Sequence, residues 1–297
     1  MDFLNDRAFI SLIKKLRLRK TWNAVIMPYR LFFVCGGQFN SQNDSFNNRR
    51  KVKDLIDQHD KCLSVFAEDL YFDGCNLLEF ENLLADICDN TIVIPESPGS
   101  FCELGAFVNN SQLRNTLIVF NNDNPKYSNS FISKGPLKMI PDRVIPFEGD
   151  IILDSRIRDY INKLTDKRIR KSKLKTNNGF ELRTLMCILV HLLYMFEPIS
   201  SVDLEKILVV INNGGNIFIK SKTIRSVNMV VKLMQRLGFL EYYNDIGYCL
   251  SMKVDKKDIK NGLFLDNDEK RIRMSYLSFL YKHHPEVIEK YDKRNDC

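Results

Sequence analysis

The sequence has no uncharged apolar stretch close to the roughly 18 residues that a membrane-spanning helix needs. Its eight cysteines form no Cys-x-x-Cys pair and no cluster with histidine, so we expect neither a zinc or other metal site nor a disulfide scaffold. No apolar core with a cleavage site follows the basic segment 14–20, so no signal peptide is predicted. Together these absences predict a cytoplasmic protein with reduced thiols and no membrane partner.

Two glycine-rich motifs of nucleotide-binding proteins are also missing. The sequence contains neither G-x-G-x-x-G, which marks dinucleotide-binding folds, nor G-x-x-x-x-G-K-[ST], which marks P-loop proteins. A nucleotide would therefore have to be bound by other residues.

The formal net charge of +7 is distributed unevenly along the 297 residues. Residues 1–150 contain 17 Lys and Arg against 19 Asp and Glu, whereas residues 151–297 contain 27 against 18. The positive excess therefore belongs to the second half and indicates an anionic partner for that half. The length favours two domains.

The first half alternates short apolar runs with amphipathic segments. The runs predict strands at 31–35, 63–67, 91–94 and 116–120, with helices at about 51–62, 77–88 and from residue 101. This alternation predicts an α/β fold with a parallel, Rossmann-like sheet and crossover helices. Ligands bind such sheets beyond the carboxyl ends of the strands, so the loops at 36–37, 68–69 and 95–103 are the candidates for a site.

The loop and helix start PESPGSFCELG, residues 95–105, allow two interpretations. We expect Ser100 to be the N-cap of the following helix, with Glu103 in the first turn. Ser100-x-x-Glu103 is then a capping box, in which the glutamate only satisfies a backbone N–H. Alternatively, free N–H groups of the first turn hold an anion or hydroxyl, and Glu103 lies at the mouth of a site.

These residues resemble a family. A glutamate that enters a helix as E-L-G-A after an apolar strand is similar to the nucleoside 2-deoxyribosyltransferases. The sequence more closely resembles the ribosyltransferase-like effectors of type II retrons, which are bacterial anti-phage systems. The shared blocks are FxxCGG at 32–37, EDL at 68–70, the block at 80–85, PESPGSF-ELGAF-NN at 95–110 and SFI-x-x-GP at 130–136.

The resemblance implies an N-glycosidase with a nucleoside deoxyribosyltransferase-like fold. Glu103 would be the catalytic residue, acting at the anomeric carbon while the base leaves, and NAD would be a substrate instead of a cofactor. A carboxylate suits this chemistry because cleavage develops oxocarbenium character. We expect substrate-binding roles for Gly36, Gly37, Asp69, Glu81, Glu96, Ser97, Pro98, Gly99 and Ser100.

Ordinary structural roles remain open for several of these residues. Glu81 can equally be a solvated helix residue, and Asp69 can belong to an ordinary loop. Gly36 and Gly37 can form a simple turn at the end of a strand.

The second half has the pattern of a winged-helix domain. Three helical segments, at about 180–193, 201–208 and 221–237, precede two strand-like runs around a turn at 244–247. Ser201 is expected to cap the second helix and Gly238 to end the third, which would be the recognition helix. We expect nucleic-acid or partner contacts from Lys167, Arg168, Arg170, Lys171, Lys173, Lys222, Arg225, Lys232 and Arg236. A solvated helical face would equally explain the seven Lys or Arg within 163–175.

The predicted organisation has five parts. They are a basic helical segment at 1–28, the deoxyribosyltransferase-like domain at 29–150, a basic helical linker at 151–178, the winged helix at 179–255 and a helical tail at 256–297.

Three functions compete. The resemblance implies a toxic effector that consumes NAD or a related nucleotide in abortive infection. It also implies control of this toxin in an oligomer or higher assembly with a retron reverse transcriptase and its multicopy single-stranded DNA. The second is a nucleotide phosphoribohydrolase, whose P-G-G-x-G-T-x-x-E loop is loosely similar to residues 98–103. The third is a non-enzymatic regulator that senses a nucleotide and binds DNA through the winged helix.

Overall fold

The computed structural model describes residues 29–37, 48–72, 76–122, 129–166, 182–211, 223–254, 259 and 268–295. These residues form two compact units, one within Tyr29–Arg170 and one formed by the described residues after it. None of the helices in these ranges has the length and apolarity needed to cross a membrane.

The first unit is built on a five-stranded parallel sheet of order β2-β1-β3-β4-β5. Its strands are β1 (Arg30–Cys35), β2 (Cys62–Val65), β3 (Asn90–Val93), β4 (Leu117–Asn122) and β5 (Val144–Phe147). The connecting helices are α1 (Asn48–Asp57), α2 (Ala67–Leu70), α3 (Leu77–Ile87), α4 (Pro98–Asn109) and α5 (Phe131–Lys134), and α6 (Ser155–Thr165) follows β5. The predicted α/β fold with a parallel sheet is confirmed.

Both faces of the sheet are covered. Phe32 and Val34 of β1 belong to a core cluster that also contains side chains of α1 and α6. Phe33 points to the opposite face, where its ring lies 6.1 Å from that of Phe107 on α4. Because side chains alternate along a strand, Cys35 lies on the face of Phe33, the one that α3 and α4 cover.

The first unit continues beyond its predicted end at residue 150. Helix α6 buries Ile157, Ile161 and Leu164 in the same core cluster as Phe32 of β1. These residues recur at steps of four and three, so they form one apolar stripe on the helix. The first part of the predicted basic linker is therefore a core helix of the α/β unit.

The second unit contains α7 (Leu182–Phe196), α8 (Ser201–Ile211), α9 (Thr223–Arg236), the antiparallel strands β6 (Leu240–Tyr243) and β7 (Gly247–Leu250), α10 (Asp268–His283) and α11 (Pro285–Asn295). Three helices followed by a hairpin are the order expected for a winged helix. Ile199 adds an antiparallel bridge to Tyr248 beside the hairpin. The assignment to the winged-helix class stays a prediction.

Caps and turns in this unit depend on single residues. Gly238, at φ +72°, ends α9 as predicted: its N–H donates to Gln235, and the next N–H donates to Met234, the Schellman pattern. The prediction that Ser201 caps α8 is wrong. The hydroxyl of Ser200 accepts the N–H of Asp203 at 3.1 Å, and Ser201 is already helical. The Ser200 hydroxyl also donates to the Asp203 carboxylate at 2.6 Å.

The last two helices pack onto the rest of the second unit. Tyr276 of α10 donates a hydrogen bond to the carbonyl of Pro198. Arg294 of α11 forms an ion pair with Glu241 of β6 at 3.1 Å and donates to the hydroxyl of Tyr243 at 3.0 Å. The C-terminal tail therefore supports the β6–β7 hairpin.

Candidate active site

The candidate site lies where the carboxyl ends of β1 and β3 meet. These strands are neighbours in the sheet, but the chain leaves β1 toward β2 and leaves β3 toward β4, in opposite directions. This is the switch point at which open α/β sheets bind ligands. Gly36 and Gly37 follow β1, and residues 94–97 follow β3, so these two predicted loops meet here.

The helix that carries Glu103 begins earlier than predicted. Ser97, not Ser100, is the N-cap of α4: its hydroxyl accepts the N–H of Ser100 at 3.2 Å. In return, the buried Ser100 hydroxyl accepts the N–H of Ser97 at 2.9 Å. Pro98 explains the shift, since proline is favoured at the first position of a helix. The prediction of a capping box formed by Ser100 and Glu103 is therefore wrong. Glu103 lies in the second turn of α4, and its carboxylate takes no part in capping the helix.

Glu103 is partly buried, and its Oε2 atom has no hydrogen-bond partner among the described residues. Burial raises the pKa of this carboxyl. Hydrogen bonds from Cys35 and Glu81 and the positive charge of Arg49 oppose the rise. An unpaired buried oxygen costs stability, so it points to a partner that binds there during function.

Glu81 of α3 lies beside Glu103 and is not solvated, since only 7% of its surface is exposed. Burial, followed by the negative charges of Glu103 and Glu68, raises its pKa from 4.5 to about 7. Hydrogen bonding to Glu103 raises the pKa of Glu81 further and lowers that of Glu103, so Glu81 is the donor. With a pKa of about 7, Glu81 keeps its proton in a large fraction of the molecules near neutral pH.

Cys35, the last residue of β1, completes this cluster. The thiol is buried, and burial followed by the charge of Glu103 raises its pKa well above the ordinary value. It is therefore a neutral thiol that donates to the Glu103 carboxylate. Sequence reasoning did not select Cys35, although strand alternation places it on the face of α3 and α4.

Glu96 connects the two loops. Its Oε1 accepts the N–H of Gly37 at 3.1 Å, and its Oε2 accepts Nδ2 of Asn48 at 2.8 Å. A Cβ at Gly36 would lie 3.2 Å from Glu96 Oε1 and 3.0 Å from the Cβ of Arg49, so a larger residue there would have to displace these side chains by a few tenths of an ångström. Burial raises the pKa of Glu96, and these two hydrogen bonds oppose that rise. In this structure Glu96 holds the β1 loop, and its role in substrate binding stays a prediction.

Arg49, in the first turn of α1, is the second site residue that sequence reasoning missed. Its guanidinium pairs with Glu68 and lies 4.6 Å from the ring centre of Phe66. Its positive charge lowers the pKa values of Glu96 and Glu103. No motif marks this arginine, because only the fold brings α1 to the end of β3.

The other predicted substrate residues lie at the edges of the site. Ser97 and Ser100 form the cap of α4, while Asp69, Pro98 and Gly99 are exposed or partly exposed. The negative charge of Glu68, one residue before Asp69, contributes to raising the pKa values of Glu81 and Glu103. Within the described stretches, no group of three or more potential metal ligands comes together.

The structure describes only some of the residues that are predicted to bind nucleic acid or a partner. Lys232 and Arg236 lie on α9 one helical turn apart and are both exposed, and Arg225 belongs to the same helix. The remaining candidates, Lys167, Arg168, Arg170, Lys171, Lys173 and Lys222, lie outside the described residues. Nucleic-acid binding through any of these residues stays a prediction.

Two curated proteins of Escherichia coli are similar to this chain. One, from retron Ec86, is 37% identical over 114 residues, which are 36% of this chain and 36% of the relative. The other, from retron Ec73, is 33% identical over 141 residues, or 44% of this chain and 43% of the relative. Both are named as candidate ribosyltransferase/DNA-binding proteins. The matched part is thus less than half the length of each relative.

A family model described as STM3845 retron effector protein matches residues 45–242. The match begins just before α1, includes Glu81, Glu96 and Glu103, and extends into β6 of the second unit. It covers two thirds of the 297 residues. This chain belongs to the STM3845 retron effector family.

Proposed function

We propose that this retron effector is an N-glycosidase that cleaves NAD, or a related nucleotide, through Glu103. The observation that carries the proposal is the partly buried Glu103, whose buried Oε2 atom is unpaired among the described residues at the switch point of the sheet. Its two E. coli relatives carry names that refer to ribosyl transfer, in agreement with this chemistry.

The proposed reaction breaks the bond between the anomeric carbon of the ribose and the base. The bonding electrons leave with the base, and the Glu103 carboxylate stabilises the positive charge on the sugar or captures it as a glycosyl ester. Water then adds to the anomeric carbon and loses a proton, and where a glycosyl ester has formed, the bond between this carbon and the Glu103 carboxylate breaks as water adds. Nicotinamide leaves NAD as a neutral molecule, so its departure needs no general acid.

Glu81 and Cys35 would act on this step through Glu103. Each donates a hydrogen bond to the carboxylate, which fixes its orientation and favours its ionised form. The proton on Glu81 is also available for a base that must be protonated to leave, such as adenine. Its pKa of about 7 is suited to this transfer near neutral pH.

We further propose that the second half binds the retron reverse transcriptase and its single-stranded DNA and that this assembly restrains a toxic activity. The excess positive charge of residues 151–297, together with Lys232 and Arg236 on α9, supports binding of a polyanion. Affinity should then fall steeply with salt concentration. A binding constant that does not change between low and high salt would argue against phosphate contacts.

A substrate panel tests the proposed reaction. The full chain, alone and assembled with its reverse transcriptase and DNA, is incubated with NAD, nucleosides and nucleoside monophosphates, and the products are separated by chromatography. Nicotinamide and ADP-ribose from NAD support the proposal, whereas ribose 5-phosphate from monophosphates alone would indicate a phosphoribohydrolase. Intact substrates in every assembly state, with both the wild type and Glu103→Gln, would instead favour a non-enzymatic nucleotide sensor.

A further inference from the structure

Arg49 is held from several sides at the edge of the candidate site. Its Cβ lies 3.0 Å from the position that a Cβ at Gly36 would take, so α1 packs tightly against the β1 loop. Its guanidinium lies 4.6 Å from the ring centre of Phe66, which follows β2. Only 13% of the side chain is exposed. The guanidinium is therefore positioned before any ligand arrives, which lowers the entropy cost of binding.

The acidic partner of Arg49 is easier to move. Glu68 pairs with the guanidinium from the first turn of the four-residue helix α2, and 42% of its side chain is exposed. An ion pair with an exposed carboxylate contributes little stability, because water and salt screen it. A phosphate group can form the same kind of charged hydrogen bonds with a guanidinium, and often forms two in parallel. Glu68 thus occupies a position that an anionic ligand could take.

Exchange of Glu68 for a ligand would also change the electrostatics at Glu103. The positive charge of Arg49 lowers the pKa of Glu103, whereas the negative charge of Glu68 raises it. Glu81 and Glu96 add further acidic groups around the same site. A site so rich in carboxyl groups repels an anionic substrate unless a cation binds its phosphate.

We propose that Arg49 binds a phosphate of the substrate in place of Glu68, and that this exchange makes the site select nucleotides over nucleosides. The inference rests on the proposed function for its substrate class. It adds a specificity determinant in α1, outside the loop and helix that carry Glu103. Glu68 keeps the guanidinium paired when no substrate is bound.

Binding of ADP-ribose tests this role without any turnover. Calorimetric titration is carried out on the full chain carrying Glu103→Gln, with Arg49→Gln, Arg49→Lys or Glu68→Gln added. Loss of a charged hydrogen bond to phosphate should weaken binding about 10- to 100-fold in Arg49→Gln, with a smaller loss in Arg49→Lys. Glu68→Gln should bind ADP-ribose at least as tightly as its parent. Lys51→Gln is the matched control, because it removes a charge from the same helix but from a lysine that pairs with Asp150.

Turnover of two substrates gives an independent measurement. Nicotinamide riboside and NAD share the scissile bond, but only NAD carries phosphates. Arg49→Gln should lower kcat/KM for NAD at least about 10-fold more than for nicotinamide riboside. Circular dichroism of each variant confirms its folding.

The outcomes separate this inference from the proposed function. Arg49-dependent binding of ADP-ribose without any turnover would support the phosphate site and contradict the proposed enzyme. Turnover of NAD with equal losses on both substrates in Arg49→Gln would contradict the phosphate site and retain the enzyme. No binding of ADP-ribose to the Glu103→Gln protein would also overturn the inference, as would equal weakening by Lys51→Gln.

Discussion

Replacement of Glu81 by glutamine tests whether two carboxyl groups really share the buried site. In the folded protein the pKa of Glu81 rises from 4.5 to about 7, chiefly through burial and then through the charges of Glu103 and Glu68. The folded state therefore binds this proton more tightly than the unfolded state does. The resulting stabilisation is complete below pH 4.5 and is lost as the pH rises through about 7.

The size of the effect follows from the shift in pKa. Each unit corresponds to about 1.4 kcal/mol, so Glu81 lowers the free energy of unfolding by about 3 kcal/mol between acid and pH 8.5. Glutamine has nearly the same shape but no charge. Glu81→Gln should lie within about 1 kcal/mol of the wild type near pH 5 and should be more stable at pH 8.5, with a midpoint higher by roughly 5–10 °C.

Scanning calorimetry between pH 5 and 8.5 measures this difference for the transition of the α/β unit. Glu79→Gln is the matched control, because Glu79 lies on the same helix but is exposed. It should shift the midpoint little at either pH. A difference in midpoint between Glu81→Gln and the wild type that stays the same at every pH would refute a raised pKa at Glu81. An equal difference in midpoint between Glu79→Gln and the wild type would refute it as well.

Three further substitutions test other parts of the structure by calorimetry. Gly36→Ala should lower the free energy of unfolding by about 1–3 kcal/mol, because its Cβ would crowd Arg49 and Glu96. In the control Gly99→Ala the atom nearest to the new Cβ is the Ser97 hydroxyl at 3.9 Å, so little should change. Equal losses in the two variants would contradict the tight packing of the β1 loop. Gly247→Ala should destabilise the second unit by more than about 3 kcal/mol, because φ at this residue is +97° and the new Cβ would lie 2.4 Å from the carbonyl oxygen of Ile199. The control Gly238→Ala should destabilise it by only about 1 kcal/mol. The reverse order would count against the bridge between Ile199 and Tyr248. Arg294→Gln should lower the free energy of unfolding by about 1–3 kcal/mol, because it removes the contacts to Glu241 and Tyr243. The control Lys293→Gln, at an exposed residue, should lower it little. Unchanged stability in Arg294→Gln would show that the tail does not support the hairpin.

Much of the fold of the first unit could be predicted from local sequence. Apolar runs closed by glycine or proline, as at 31–35 and 91–94, mark strands buried on both faces, and their alternation with helices fixes the parallel sheet. The core role of α6 was missed because its exposed positions are strongly charged. Its apolar stripe, Ile157, Ile161 and Leu164, was the available signal.

The candidate site was predictable only where its residues lie in one motif. Glu103 and the loop before it are continuous in sequence, so the resemblance selected them together. Arg49 and Cys35 reach Glu103 from other elements, and their contacts depend on the order of strands in the sheet. The N-cap was misplaced by three residues because Ser97 and Ser100 are both good caps, and only the proline between them favours the first.

The central claim is that the Glu103 carboxylate acts on the glycosidic bond. Its most direct test is kcat/KM for NAD in the full chain, in whichever assembly state is active, for the wild type, Glu103→Gln and the adjacent exposed Cys102→Ala. The expected result is a loss of at least about 10³-fold in Glu103→Gln, the scale seen when a catalytic group is removed, and little change in Cys102→Ala. A folded Glu103→Gln protein that cleaves NAD at the wild-type rate would contradict it.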